Sequence, residues 1–367
     1  MKEQKSLSFY ILLTLVLGIF AFIGGCSGES KKKHDPLKGL ADISDQFEKP
    51  SVKNLISFPA AHAPHKTYQQ EWWYLTANLT TEDGLSLATQ WTLFRRAVEQ
   101  KYWYFAHAAL ADSTQHNSAF RNAREELANV AITTQPFVAK IDDWSWHSKG
   151  DLFPAELSYG LAVNANVDLN SLPVEEYFWQ VNLKLNSEQP FFLQGEKGYS
   201  KKHQTLDIAS HYYSQPFIDV SGEVYWQGKW QTVTGKAWLD REWGSQMLAE
   251  DQDGWDWFSL RLSEDTALMV YRIRSEQQDY MYGSLMQSNG DIRTLSANEI
   301  TLLDQTEVSS AYPQSFSIEI AKEGINLEVN VVNNKQIMRF GIKYFEGMVT
   351  FSGSHKGSGF LEMTGYE

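Results

Sequence analysis

Hydrophobic and polar residues alternate along most of the chain after about residue 65. The alternation occurs in short runs separated by turn-forming residues, as in WWYLTANL, LSLATQWTLFRR and ALMVYRIR. This period of two is typical of antiparallel β-strands with one buried and one exposed face. One segment, AFRNAREELANV at residues 119–130, instead has the spacing of a short helix. We therefore predict an all-β protein with little helix.

An internal repeat divides this pattern into two halves. Residues 71–96 and 254–274 each contain an aromatic strand, an acidic turn and an apolar strand that ends in arginine. Residues 222–243 and 347–366 share their glycine spacing and a strand–turn–strand shape. Each half thus begins with one type of hairpin and ends with another, which predicts two tandem antiparallel β-barrels.

The repeat also sets the expected boundaries of the barrels. The first barrel is predicted over residues 61–246 and the second over 253–367, with a short acidic connection between them. The stretch KAWLDREWGSQML, residues 236–248, lies at this junction and places three charges between tryptophans. Ligand sites commonly form at domain junctions and barrel mouths, so we expect a site near this stretch.

The N-terminus has the composition of a secretory signal. A short basic segment is followed by an apolar stretch that ends in small residues immediately before Cys26. This order predicts a signal peptide over residues 1–26, although an uncleaved membrane anchor has a similar pattern. Residues 27–60 are polar and charged, and predict a flexible linker. Cys26 is the only cysteine, so no disulfide can form within the chain.

The residues around Cys26 resemble a bacterial lipobox. This resemblance implies that Cys26 is lipidated, becomes the mature N-terminus and attaches the protein to a membrane that faces the periplasm. Ser27 follows the cysteine where an aspartate would imply retention in the inner membrane. We therefore expect the outer membrane.

Composition narrows the possible partners. A formal net charge of −13 provides no basic surface for phosphates, so we expect no nucleic-acid partner. The 13 Trp, 17 Tyr and 20 Phe suit both β-strands and a pocket for a hydrophobic small molecule. No predicted helix carries two His at metal-ligand spacing, and neither a Cys-x-x-Cys motif nor a glycine-rich phosphate loop is present, so we expect no metal and no cofactor.

Charged residues lie among apolar ones at three predicted strand ends. In an extended AWLDREW segment, alternation separates two sets of side chains, which are Trp238, Asp240 and Glu242 on one face and Leu239, Arg241 and Trp243 on the other. Glu71 and Asp256 likewise share faces with apolar residues. A buried carboxylate is costly unless it is paired, and Arg95, Arg241 and Arg272 are available partners.

Two interpretations of these carboxylates remain open. They form either a structural ion-pair network that holds the barrels together or a catalytic cluster at the bottom of an apolar pocket. His107 is similarly ambiguous, because it shares a predicted face with Trp103 and Phe105 and fits either a core residue or a ligand contact. His62 and His65 lie in a proline-containing loop before the first strand.

Several motifs, in order, resemble the AttH / carotenoid 1,2-hydratase family. They are QEWWYLTANL, YFAHAALAD, LDREWGSQML, GWDWFSLRL and YFEGMVTFSGSHKGSGFLEMTGY, and they span nearly all of the chain after the linker. The resemblance implies two tandem lipocalin-like antiparallel β-barrels. It also implies a secreted hydrolase-like lipoprotein, in some members associated with ABC-type export systems. One branch of the family hydrates a terminal double bond of acyclic carotenoids.

Alkene hydration requires an acid and a means to stabilise a carbocation. The resemblance and the alternation suggest Asp240, Glu242 and Asp256 as catalytic residues. They suggest a binding surface built from Glu71, Trp72, Trp73, Tyr74, His107, Trp238, Arg241, Trp243, Trp257 and Tyr271. The hydratase branch has a histidine in the tract that matches DREWG, whereas this chain has Arg241 and Glu242. Arginine stays protonated at neutral pH and cannot shuttle a proton.

Three classes of function are therefore considered. The first is an enzyme of the hydratase, hydrolase or isomerase type, and the second is a carrier of a lipid or an accessory protein of an exporter. The third, carbohydrate binding on exposed aromatic rings, would require tryptophans that face solvent. We also expect an apolar cavity in at least one barrel, lined by aromatic side chains of residues 71–74 and 256–258.

Overall fold

The computed structural model describes residue 40 and residues 46–98, 101–161, 178–305 and 311–366. The predicted signal peptide, Cys26 and most of the predicted linker lie outside these residues. Thirteen strands form a first sheet: β1 Gln70–Thr81, β2 Ser86–Val98, β3 Lys101–Ala111, β4 His116–Arg124, β5 Val130–Thr134, β6 Phe137–Ile141, β7 Trp144–Ser148, β8 Ala155–Leu161, β9 Trp179–Asn186, β10 Phe192–Leu193, β11 Tyr199–Lys201, β12 Ala209–Trp226 and β13 Lys229–Gly244.

Ten further strands form a second sheet. They are β14 Gln252–Arg261, β15 Thr266–Ser275, β16 Tyr280–Gln287, β17 Ile292–Ser296, β18 Thr301–Asp304, β19 Ser315–Ile320, β20 Ile325–Val331, β21 Ile337–Phe340, β22 Ile342–Gly353 and β23 Gly357–Thr364. The helical residues are short 3₁₀ turns at Ala60–His62, Glu125–Leu127, Ala297–Glu299 and Ala321–Glu323. None of the helices in the described part of the chain has the length and apolar character needed to cross a membrane.

Both sheets are antiparallel and curl into nearly closed barrels, which confirms the predicted fold class. The strand order is β4-β3-β2-β1-β13-β12-β9-β8-β7-β6-β5 in the first sheet, with β10 and β11 also paired to β12. It is β17-β16-β15-β14-β23-β22-β20-β19-β18 in the second, with β21 paired to β22. Arg121 of β4 donates hydrogen bonds to Asp143, before β7, and to the carbonyl of Gly160 in β8. These bonds bring the two ends of the first sheet together.

The internal repeat corresponds to a shared topology. In each sheet the first strand lies between the second strand and the last one, since β1 pairs with β2 and β13 while β14 pairs with β15 and β23. The closing hairpins β12–β13 and β22–β23 are the segments that resemble each other in the sequence.

Hydrophobic side chains fill the interior of both barrels. The first interior contains several tryptophans, among them Trp73, Trp91 and Trp146, and the second contains Phe258, Phe316 and Phe345. The aromatic residues of 71–74 and 256–258 therefore divide between two environments. Trp73 and Phe258 point inward, whereas Trp72, Tyr74 and Trp257 pack between the barrels.

The structure corrects the predicted helix at residues 119–130. This segment is the strand β4 followed by a single 3₁₀ turn. The buried residues Ala119 and Ala123 lie four positions apart, a spacing compatible with both a helix and a strand. Backbone pairing of β4 with β3 decides in favour of the strand.

The described end of the predicted linker lies against the first barrel. The amide of Glu48 donates to the Thr67 carbonyl at 2.9 Å, and the ring of Phe58 stacks on Phe191 with centroids 4.5 Å apart. Ser245, after β13, donates to the carbonyl of Glu48. Glu48 and Phe58 of the predicted linker thus contact the first barrel.

Each barrel contains a buried carboxylate paired with arginine at the same place in its first hairpin. Glu71 of β1 lies opposite Arg95 of β2, and their side chains form an ion pair. Asp256 of β14 lies opposite Arg272 of β15, whose Nη2 and Nε are 2.7 and 2.9 Å from its carboxylate. The equivalent pairs support the internal repeat at the level of single residues.

Arg241 is the second partner of Glu71. Its guanidinium is fully buried, donates to the Glu71 carboxylate and to the Ala63 carbonyl, and lies 3.7 Å from the centre of the Trp73 ring. Although burial opposes ionisation of Glu71, the two arginines and His65 hold its pKa below the usual range. Arg241 therefore belongs to a buried ion-pair network of the first barrel.

We predict that Arg241→Met lowers the free energy of unfolding by about 3–5 kcal/mol, because it leaves a buried carboxylate without one of its two cations. The measurement is urea denaturation at neutral pH. Lys229→Met is the control, since Lys229 and Asp83 form an exposed pair whose loss should cost at most about 1 kcal/mol. Equal effects of the two substitutions would show that the buried pair is not a stabilising feature.

Candidate active site between the two barrels

The outer faces of the barrels meet and form the candidate site. Because side chains alternate, β13 buries Leu239 inside the first barrel and directs Trp238 and Asp240 outward. The second barrel does the same with β14, which turns Trp257 toward the first. The hydrophobic residues buried between the barrels include Tyr74, Tyr212, Phe217, Trp238, Trp257, Met269, Tyr271, Tyr282, Met348 and Phe360.

Asp240 lies within this aromatic layer and is bound by neutral donors alone. Its Oδ1 accepts hydrogen bonds from Ser214 Oγ at 2.5 Å and Trp238 Nε1 at 2.8 Å, and its Oδ2 accepts one from the Tyr212 hydroxyl at 2.8 Å. No cation among the described residues reaches it. Burial raises the pKa of Asp240 to about 7, against the opposing effect of the three hydrogen bonds.

Two more carboxyl groups face this site from the second barrel. Glu346 of β22 and Glu362 of β23 lie directly opposite each other in the sheet. Burial raises the pKa of Glu346 to about 8, and burial together with the charge of Glu346 raises the pKa of Glu362 well above its usual range. The hydroxyls of Tyr74 and Tyr344 lie near the Glu346 carboxyl, whereas Glu362 accepts a hydrogen bond from Trp255 Nε1 at 3.2 Å.

Glu242 differs from its neighbours because it has a cation. Lys202 Nζ is 2.6 Å from its Oε1, and Ser210 donates to the same oxygen. The ammonium also lies over the ring of Tyr271, 4.7 Å from its centre. Asp240 and Glu242 therefore share one face of β13, but of the two only Glu242 has a cation beside it among the described residues.

His107 extends the site along the outer face of the first barrel. Its Nδ1 is 2.8 Å from the Tyr344 hydroxyl, and the hydroxyl of Tyr344 in turn lies near the Glu346 carboxyl. Burial lowers the pKa of His107 to about 3, so the imidazole is neutral in the physiological range. Its Nε2 has no hydrogen-bond partner among the described residues.

The structure brings together only part of the predicted site. Tyr74, His107, Trp238, Asp240, Glu242, Trp257 and Tyr271 lie between the barrels, with the half-buried Trp72 at their margin. Glu71, Trp73, Arg241 and Trp243 lie on the opposite face, at the end of the first barrel. Asp256 is inside the second barrel, where Arg272, Arg274 and Tyr366 bind it.

Glu346 and Glu362 were missed, although the sequence contains a signal for one of them. In the internal repeat, WLD at 238–240 aligns with FLE at 360–362, so Glu362 is the equivalent of Asp240. Asp240 lies on β13 opposite Tyr74 of β1, and Glu362 lies on β23 opposite Trp257 of β14. In both sheets the carboxyl residue is therefore on the closing strand, which pairs with the first strand. Glu346 has no such signal, because its equivalent position on β12 is Ser214.

A groove of about 1140 Å³ opens beside the buried layer. Its walls come from residues 195–204 of the first sheet and from residues 275–282 and 294–298 of the second. Tyr282 belongs both to the groove and to the layer between the barrels, where its ring contacts that of Tyr271 at 5.4 Å. The described residues contain no group of three or more His, Cys, Asp or Glu that could hold a metal ion.

Comparison with known proteins places this architecture in a family. A family model described as AttH-like matches residues 49–366. The chain belongs to the AttH-like family. The structure of NE1406 from Nitrosomonas europaea, which is assigned as an AttH, is 28% identical, with coverage of 88% of this chain and 100% of that one and a TM-score of 0.75.

A second solved structure shares the fold of this AttH-like protein. It is kievitone hydratase from Nectria haematococca, which is 11% identical, with coverage of 88% of this chain and 98% of that one and a TM-score of 0.61. At this identity the likeness concerns the fold alone. A comparison with curated protein sequences gives no match.

Proposed function

We propose that this AttH-like protein is a hydratase that adds water to a carbon–carbon double bond of a hydrophobic small molecule, with Asp240 as the acid. One observation carries the proposal. The Asp240 carboxyl is held between the barrels by three neutral donors, and no described residue supplies a cation to neutralise it. A carboxyl group in this position is suited to carry a proton into an apolar site.

Asp240 meets the needs of the first step. The acid donates a proton to one carbon of the double bond, and a carbocation remains on the other. With a pKa of about 7, a large share of Asp240 is protonated near neutral pH. After transfer, the bonds from Tyr212, Ser214 and Trp238 stabilise the new carboxylate.

Aromatic rings meet the needs of the intermediate. The ring centroids of Trp238 and Trp257 are 6.1 Å apart, and the two rings pack edge to face. The ring centroid of Tyr74 lies 5.4 Å from that of Trp257. A desolvated carbocation over such a ring gains about 1–2 kcal/mol from cation–π attraction. A substrate that forms a tertiary cation, such as an acyclic isoprenoid, benefits most from this environment.

Water completes the reaction. It adds to the carbocation, and its surplus proton returns to the Asp240 carboxylate, so that alkene and water give an alcohol and the acid is restored. Glu242, which Lys202 and Ser210 hold on the same face of β13, is a second acceptor for that proton. Asp256 has no place in this scheme, because two arginines and Tyr366 occupy its carboxylate.

The family resemblance supports hydration only in outline. Carotenoid hydratases have a histidine in the DREWG tract, whereas Arg241 here is bound to Glu71 inside the first barrel. We therefore assign the acid role to Asp240, which lies on the opposite face of β13 from Arg241. Kievitone hydratase is by its name a hydratase with this fold, which makes the proposed reaction class compatible with the architecture.

A second candidate is a lipid carrier or an accessory protein of an ABC-type exporter. It is favoured by the depth of the carboxyl groups, since Asp240 and Glu346 are at most 3% exposed. A carrier would hold an apolar ligand between the barrels without turnover. The two candidates differ in one outcome: an enzyme converts a bound alkene into an alcohol, whereas a carrier releases it unchanged.

We predict that the protein incorporates ¹⁸O from labelled water into acyclic isoprenoid alkenes, detected by mass spectrometry of the products. Asp240→Asn should lower the rate by at least about 100-fold, because general acid catalysis contributes factors of this size. The rate should be highest below about pH 7 and fall as Asp240 loses its proton at higher pH.

Asp219→Asn is the matched control for this experiment. Asp219 lies on β12, is exposed and pairs with Lys236, so its substitution should leave the rate unchanged. Hydration by Asp240→Asn at the wild-type rate would contradict the assignment of the acid. Binding of the alkenes without ¹⁸O incorporation by the wild type would favour the carrier.

We also propose lipid attachment at Cys26 and location on the periplasmic side of the outer membrane. The support is the apolar stretch that ends in small residues immediately before the cysteine. Cys26→Ser should stop signal processing and release the protein from the membrane fraction, measured by fractionation and by the mass of the mature N-terminus. Processing that is insensitive to globomycin in the wild type would contradict lipidation.

A further inference from the structure

The groove beside the buried layer combines polar side chains with apolar surface. Of the side chains that line it, most are polar, and Gln204, Gln277, Gln278, Ser296 and Asn298 carry amide or hydroxyl groups. Its aromatic residues are tyrosines, namely Tyr199, Tyr280 and Tyr282. The surface that these residues present to the groove is nevertheless more apolar than polar, so the wall suits a ligand with both apolar faces and hydrogen-bonding groups.

Several polar groups of the groove are available to a ligand. The side chains of Gln204, Gln277 and Gln278 are exposed and make no hydrogen bond within the described structure. An amide offers both a donor and an acceptor, which is the combination that a hydroxyl group requires from its partners. Three such amides near one groove can bind several hydroxyl groups at once.

The charge of the groove argues against an anionic ligand. Lys201 is the cation of its lining, while Glu196 and Asp279 are acidic. The acidic groups therefore exceed the basic ones by one. A phosphate or carboxylate ligand would meet repulsion here, whereas a neutral ligand would not.

The size and rigidity of the groove favour a ligand of several rings. Its volume of about 1140 Å³ exceeds the range of about 300–1,000 Å³ that is common for small-molecule sites. The two walls are joined by a hydrogen bond from the Gly195 amide to the Tyr282 hydroxyl at 2.6 Å. The ring of Tyr280, which is half-buried, offers an apolar face for stacking next to the polar side chains.

We propose that this groove is a binding site for a neutral saccharide, held by stacking on Tyr280 and by hydrogen bonds to Gln204, Gln277 and Gln278. The ligand is either a free oligosaccharide or the glycosyl head group of a lipid, since both present the same hydroxyl-rich rings. The site is distinct from the acid at Asp240, and tyrosines provide the aromatic surface without solvent-facing tryptophans.

The test measures binding alone, so its outcome does not depend on whether the protein hydrates a double bond. Soluble maltohexaose, cellohexaose and chitohexaose are titrated by calorimetry. In a second arm, vesicles of phosphatidylcholine with and without digalactosyl diacylglycerol are tested by co-sedimentation. Binding in the first arm identifies a free oligosaccharide, and selective binding of the glycolipid vesicles identifies a head group.

Tyr280→Ala should weaken binding by about threefold to tenfold through loss of stacking, and Tyr280→Phe should retain it. The double variant Gln277→Ala, Gln278→Ala changes only exposed side chains and should also weaken binding. Tyr225→Ala, in the β12–β13 hairpin outside the groove, is the control and should bind normally. The proposal is overturned if no neutral saccharide binds in either arm, or if both groove variants bind as the wild type does.

Discussion

The outer faces of the two sheets bury carboxyl groups among aromatic rings where they meet, and Asp240 and Glu346 lie there without a cation among the described residues. Desolvation of a carboxylate is costly, so such a group either finds a positive partner or keeps its proton. Asp240 and Glu346 have no positive partner in the described part of the chain, and burial raises the pKa of both into the neutral range. The proposed chemistry depends on this constraint, because it produces a proton donor inside an aromatic layer.

The same chain handles buried carboxylates in two ways. Inside the barrels, Glu71 and Asp256 meet arginines from neighbouring strands and serve the fold. Between the barrels, the hydrogen bonds that described residues donate to Asp240 all come from neutral groups, whereas Glu242 forms an ion pair with Lys202. Side chains alternate along β13, so Arg241 points into the first barrel while Asp240 and Glu242 point out of it. This alternation separates the structural ion pair from the carboxyl groups between the barrels. One strand thus contributes both to stability and to the candidate site.

Much of the fold could be predicted from local patterns. Alternation predicted the β-rich fold, and the repeat predicted the two barrels, because each half has the same hairpins at its beginning and end. The separation of Arg241 from Asp240 also followed from alternation alone. The helix expected at 119–130 was wrong because two alanines four residues apart fit a helix and a strand equally well.

The site was less predictable, because it depends on which outer faces meet. Alternation shows that Asp240 and Trp238 share a face, but not that Glu346 and Glu362 lie across from it. The partner of Glu242 is a lysine about forty residues earlier in the chain, on a segment without a sequence signal. Aromatic residues of 71–74 were expected to line one cavity, yet they divide between a barrel interior and the layer between the barrels.

Infrared difference spectroscopy of the carboxyl C=O band tests the central claim most directly, since only protonated carboxyl groups give this band. Spectra of the wild type, Asp240→Asn and Glu346→Gln would be compared between pH 5 and pH 9, a range about two units to either side of the pKa of Asp240. The account predicts a protonated-carboxyl band in the wild type that declines near pH 7–8, with separate components missing in each variant. A wild-type band that is already absent at pH 6, or that is unchanged in both variants, would contradict it.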